Sequence, residues 1–135
     1  GLNLDFNKKF LNEIIDKLKK NESRISLFIE PKGADIKKAK LFKADCVEIH
    51  TGKFCNLVNE KKNFVNELNK IKKAVILANK IGLEVHAGHG LTYKSAEILS
   101  KTKGIREFNI GHFLVGESIF VGLRNSIKQF KKIIR

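Results

Sequence analysis

The sequence predicts an α/β protein built on a parallel β-sheet. After a leading amphipathic helix, short apolar runs alternate four times with helical stretches, and such alternation implies parallel strands joined by right-handed crossovers. Three strand ends carry His, Glu or Gly in order: Val47-Glu48-Ile49-His50-Thr51-Gly52, Leu83-Glu84-Val85-His86-Ala87-Gly88-His89-Gly90 and Phe108-Asn109-Ile110-Gly111-His112. Length sets the scale, because 135 residues, 42% of them apolar, suffice for one domain with a real core. A complete (β/α)8 barrel takes about 250 residues, so four units make roughly half of one. An open, doubly wound sheet is the alternative.

The leading helix spaces Phe6, Phe10, Ile14 and Leu18 by four, with Leu11 and Ile15 alongside, and Lys19-Lys20-Asn21 ends it. Residues 25–29 read as a buried strand broken by Pro31 and Gly33. Asp35 is placed to cap a short helix over residues 36–43. The second strand is Cys46–His50, with Thr51-Gly52 as its exit. Phe64, Leu68, Ile71, Val75 and Ala78 keep a helical step, predicting one long helix from about residue 61 to 81 with Gly82 as its stop. Residues 83–86 form the third strand, and Thr92 or Ser95 opens a helix to about residue 101. Residues 108–110 form the fourth strand. A final helix begins at Gly116-Glu117-Ser118 and carries Ile119, Leu123, Ile127, Phe130 and Ile134. The outer strands of an isolated half are unpaired edges that partners must cover.

The chain has 27 basic and 14 acidic residues, a formal charge of +13, which raises nucleic acid, anionic membrane and phosphorylated small molecules as partners. Lys8-Lys9, Lys37-Lys38, Lys61-Lys62, Lys72-Lys73 and Lys131-Lys132 fall mostly on helical polar faces. With few aromatics interleaved among them, solvated surface is a better reading than a nucleic-acid footprint. No apolar run approaches the roughly 20 residues of a membrane span. Gly1-Leu2-Asn3 has no signal-peptide form. Cys46 and Cys55 lack metal-type spacing, so a reduced, cytoplasmic protein is expected. The sequence contains no methionine and reads as a piece of a longer polypeptide.

Strand alternation puts Cys46, Glu48 and His50 on one face and Val47 and Ile49 on the other. Lining a barrel interior, Glu48 is a confined carboxylate suited to stabilising developing positive charge or positioning a proton; satisfied by a lysine or backbone amides, it is structural. Glycines on both sides of His89 let the backbone turn sharply or a ligand approach closely. Their amides can then bind an anion while the imidazole transfers a proton near neutral pH. A buried, hydrogen-bonded histidine is the plainer alternative. Gly111-His112 precedes a helix start, where barrels frequently hold a phosphate, although a tight turn looks the same. Glu30 ends the first strand and faces the same rim.

His50, His86, His89 and His112 invite a metal reading. His-x-x-His at a strand end has little ligand logic, however, and no Walker-type or Gly-x-Gly-x-x-Gly loop is present. No metal and no cofactor is expected.

The succession Ser26-Leu27-Phe28-Ile29-Glu30, Glu48-Ile49-His50-Thr51-Gly52, Ala87-Gly88-His89-Gly90-Leu91-Thr92-Tyr93 and Asn109-Ile110-Gly111-His112 closely resembles the pyridoxine 5′-phosphate synthase family. The resemblance runs over the whole chain and matches the family's last four βα units. It implies the carboxyl-terminal half of a (β/α)8 barrel, residues 1–135, that assembles into a homo-oligomer, an octamer in the family. It also implies condensation of 1-deoxy-D-xylulose 5-phosphate with 3-amino-2-oxopropyl phosphate to pyridoxine 5′-phosphate, without metal or organic cofactor. On matching positions, His89 is implied as proton donor and Glu48 as transition-state stabiliser, with Gly90, Gly111 and His112 holding the aminoketone phosphate. His86 departs from the family, which usually has Asn there. The amino-terminal half, with its Asp-His motif, catalytic His and Glu bases and most deoxyxylulose phosphate contacts, is expected to lie outside this chain. The competing readings are a metal-dependent barrel hydrolase using the histidines and a basic α/β domain associated with nucleic acid.

Overall fold

The computed structural model describes residues 1–134. Four short strands, β1 (Ser26–Ile29), β2 (Cys46–His50), β3 (Glu84–Gly88) and β4 (Glu107–Asn109), lie side by side in chain order, every neighbouring pair parallel. Parallel neighbours need crossovers. These run through α2 (Gly33–Leu41), then α3 (Gly52–Asn59) with α4 (Val65–Lys80), then α5 (Tyr93–Ser100). Before them comes α1 (Lys8–Lys20), and after β4 come α6 (His112–Val121) and α7 (Leu123–Ile133).

Register fixes the two faces. Phe28, Glu48, His86 and Glu107 align across the sheet, and Gly88 pairs with both His50 and Asn109. The opposite face carries Leu27, Ile29, Val47, Ile49, Val85 and Ala87, all buried in one cluster with Ile36, Ala39, Phe54, Ile71, Val75, Ala78 and Leu99 from the crossover helices. Each buried Val, Leu or Ile contributes about 1.5–3 kcal/mol, so the apolar face determines which way the strands turn. The sheet is therefore singly wound, its covering helices on one face and its polar residues on the other. That arrangement overturns the doubly wound alternative.

Helix ends explain most departures from the sequence expectation. Glu22, Lys43 and Lys61 all adopt positive φ, at 57°, 58° and 55°, as does Gly82 at 74°. Each ends a helix by returning two backbone N–H groups to its last turn, as Lys61 N–H does to Val58 and Lys62 N–H to Leu57. Left-handed Lys61 cannot lie inside a helix. The helix expected from about 61 to 81 is α4, which starts at Val65 after this reversal, and α3 before it was not expected. The final helix likewise begins at His112 rather than Gly116, and Gly122, with φ 81° and ψ 143°, splits it into α6 and α7. Asp35 sits in the first turn of α2 but does not cap it; Lys32 holds that position without a side-chain bond. Thr92 and Ser95 both act at α5, in a reciprocal capping box.

The stripe on α1 does not face this core. Ile15 is buried, but Phe6, Phe10, Ile14 and Leu18 are exposed, Phe6 by 78%. On α6, Val115, Ile119 and Phe120 are exposed as well. Among the described residues no helix is long and apolar enough to cross a membrane.

Two glycines on the last helical pair should respond oppositely to alanine. Gly122→Ala forces a side chain into a conformation reserved for glycine and should cost about 1–3 kcal/mol of unfolding free energy. Gly116 lies inside α6, and a Cβ there meets nothing within 4 Å, so Gly116→Ala should stabilise by about 0.5–1 kcal/mol. Urea titrations of both variants check the pair.

Candidate active site

The carboxyl ends of β2, β3 and β4 meet at one rim, and Thr51 organises it. This fully buried residue follows β2 directly. Its Oγ1–H is shared between the carbonyls of Gly88 and His89, both at 2.8 Å, and its backbone N–H donates to Gly88 O at 2.9 Å. So pinned, the chain leaves β3 through two consecutive left-handed residues, His89 with φ 76° and Gly90 with φ 78°. A positive φ is costly for histidine, and such strain persists only where surrounding bonds enforce it. Beneath the turn, Cys55 packs so close that a Cβ on Gly90 would lie 3.2 Å from its own Cβ. Burial pushes the Cys55 thiol pKa up.

A cleft of about 640 Å³ opens above this turn. His89, Gly90, Leu91 and Thr92 form one wall, Asn109, Ile110, Gly111, His112 and Phe113 a second, and Asn56 and Asn59 of α3 a third. Four residues singled out in the sequence, His89, Gly90, Gly111 and His112, therefore line one space. Gly111 precedes the first turn of α6, whose leading N–H groups lack helical partners and favour an anion. Its φ is −116°, and a Cβ there meets nothing within 4 Å. Neither a positive φ nor a crowding neighbour requires glycine at 111.

Glu48 reaches the cleft through a neighbour. Asn109, on the cleft wall, donates from Nδ2 to Glu48 Oε2 at 2.7 Å. The carboxylate can lie across β3 because residue 88 is glycine: a Cβ there would sit 2.0 Å from Glu48 Oε1. Glycine thus supplies the room in which a strand-centre carboxylate turns toward the rim. His86, its register partner, turns elsewhere. Its Nε2 meets Glu84 Oε1 at 2.8 Å at the amino end of β3, where Arg24 also binds Glu84 at 2.6 Å. His86, then Arg24, hold the Glu84 carboxyl below the usual carboxylate range.

Asn56, Asn59 and the Thr51 pin were not singled out in the sequence. The two asparagines lie three apart on α3, the helix hidden by a non-glycine terminus, and Asn59 Oδ1 accepts from Thr92 Oγ1 at 3.2 Å. Among the described residues, no group of three or more His, Cys, Asp or Glu side chains is arranged to hold a metal ion.

The family described as pyridoxal phosphate biosynthesis protein PdxJ matches this chain over residues 1–135. The chain belongs to the PdxJ family. Relatives named pyridoxine 5′-phosphate synthase include one from Pelagibacter ubique (strain HTCC1062), 56% identical over 133 residues, covering 98% of this chain and 56% of the relative. Another, from Zymomonas mobilis subsp. mobilis (strain ATCC 31821 / ZM4 / CP4), is 45% identical over 124 residues, 92% of this chain and 48% of the relative. A third, from Prochlorococcus marinus (strain MIT 9211), is 43% identical over 134 residues, 99% of this chain and 54% of the relative. The chain spans about half the length of these PdxJ relatives.

The crowding at residue 88 gives a direct test. Its backbone is an ordinary strand, so Gly88→Ala adds no backbone strain but must expel the Glu48 carboxylate and break the Asn109 bond. Loss of a partly buried, charge-assisted hydrogen bond should lower stability by about 1–3 kcal/mol, and the Asn109 side-chain amide resonances should move. Unchanged Asn109 resonances in Gly88→Ala would contradict this placement of Glu48.

Proposed function

We propose that this chain is the carboxyl-terminal half, the last four βα units, of a (β/α)8 barrel that makes pyridoxine 5′-phosphate from 1-deoxy-D-xylulose 5-phosphate and 3-amino-2-oxopropyl phosphate. The observation that carries the reading is the cleft at the strands' carboxyl ends, which joins His89, Gly90, Gly111 and His112, with Glu48 one hydrogen bond away. Barrels do their chemistry at that end. The half-barrel assignment draws on the singly wound sheet and its two outer sides. Among the described residues, β1 receives only one bond there, from Leu2 N–H to Phe28 O at 2.6 Å, and no strand pairs the outer side of β4. Four further βα units would pair those edges and cover the exposed stripes of α1 and α6. The completed barrel would be cytoplasmic and would assemble as a homo-oligomer, an octamer as the family resemblance implies.

In this reading the chain holds one substrate and supplies one acid. The leading amides of α6 with Gly90 bind the aminoketone phosphate, and the small residue at 111 lets its oxygens approach the backbone. His89, at the mouth of the turn, donates the proton that a departing oxygen needs during the eliminations. Glu48, oriented by Asn109, faces the positive charge that develops as amine and ketone condense. Holding both reactants over this rim supplies the orientation that makes the ring closure intramolecular in character. Proton-abstracting bases come from the complementary half.

In the complete barrel, His89→Ala should lower turnover by about 10²–10⁴-fold, the usual worth of a positioned acid. Glu48→Gln should reduce kcat more than it raises KM, since its charge is needed mainly in the transition state. Gly111→Val, which the backbone tolerates, should raise the KM for the aminoketone phosphate more than that for deoxyxylulose phosphate. Steady-state kinetics with both substrates decide the matter; native rates in His89→Ala and Glu48→Gln would reduce these residues to structural roles and sink the proposal.

A further inference from the structure

His89 has the position of an acid but little to aim it. Among the described residues its imidazole takes part in no hydrogen bond, and the Thr51 pin fixes only its backbone. What its ring touches is another imidazole. The His50 ring, at the end of β2, has its centroid 4.7 Å from that of His89, with the planes 36° apart. Phe28 of β1 closes the cluster, edge-on to His50 at 5.1 Å and 75°, and 6.3 Å from His89.

Two further features lock His50 in place. Its Nδ1 lies 3.3 Å from Glu30 Oε1 at the end of β1. On the other side sits Gly52, where a Cβ would come within 2.8 Å of His89 Cδ2 and 3.0 Å of His50 Cε1. Glycine at 52 is what lets both rings occupy one layer.

We propose that His50 is a positioning residue for His89: its ring, tethered by Glu30, fixes the orientation of the His89 imidazole over the cleft. This rests on the reading of His89 as the proton donor. The titratable side chains facing His50 are Glu30 from β1, Glu48 on its own strand and His89 from the β3 turn. Burial outweighs the carboxylates and lowers the His50 pKa. His50 therefore stays neutral to lower pH than a free imidazole.

The test compares His50→Ala, His50→Phe and Glu30→Gln with His89→Ala in the complete barrel, reading kcat, KM and the imidazole resonances of His89, which the neighbouring ring displaces. His50→Ala should lower kcat about tenfold or more, as misorientation does, with KM for the aminoketone phosphate within about twofold. His50→Phe keeps a ring in the stack and should restore kcat to within about threefold. Glu30→Gln, a conservative change at a partly exposed side chain, should move the His50 titration to lower pH with a smaller loss of kcat. If His89→Ala is impaired while the His50 and Glu30 variants keep native kcat and unaltered His89 imidazole resonances, the positioning role is overturned and the proton-donor reading stands. If His89→Ala is itself native, the reading beneath it fails.

Discussion

One buried hydroxyl holds the functional end of this molecule together. Thr51 gives its single side-chain proton to two carbonyls, those of Gly88 and His89, and adds its own N–H to the first. Withdrawn, it would leave buried acceptors unsatisfied, at about 1–3 kcal/mol. The left-handed backbone it enforces at His89 costs about the same. The bonds and the strain are thus comparable, and the turn exists because β2 and β3 exit side by side. From that turn follow the contact of the His89 ring with His50, the burial of Leu91 and the entry of Thr92 into its capping box.

Below the rim, glycine placement organises the polar face of the sheet. Glu48 occupies the volume that any side chain at residue 88 would need, and the two imidazoles occupy that of a side chain at 52. Neither glycine has positive φ, so both are selected by space. Gly90 is different, required both by its φ of 78° and by Cys55 beneath it. The apolar face does the opposite work: Val47, Ile49, Val85 and Ala87 are fully buried under the crossover helices, which leaves the polar residues of the same strands on the other face of the sheet.

Much of this was legible in the sequence because it depends on local periodicity. Alternation along Cys46–His50 separates Glu48 and His50 from Val47 and Ile49, and the structure keeps that division. The strand ends at 89–90 and 111–112 reach one cleft, as parallel topology requires of successive exits. What escaped depends on contacts that periodicity does not encode. Lys61 takes a place usually held by glycine, so α3 and its cleft-lining Asn56 and Asn59 were hidden. The four-residue spacing on α1 marks an apolar face correctly but says nothing of what covers it. The Thr51 pin, the Gly88 gap and the His50 stack each join residues 36 or more apart, visible only once the strands are in register.

The central claim is that this rim receives the phosphate end of a substrate beside an oriented imidazole. The most direct measurement is a crystal structure of the complete barrel soaked with 3-amino-2-oxopropyl phosphate. The account predicts the phosphate oxygens within hydrogen-bonding distance of the Gly90, Gly111 and His112 amides, with the ketone end toward His89 and Glu48. Phosphate density away from the first turn of α6, or a ligand oriented with its ketone end away from His89, would contradict it.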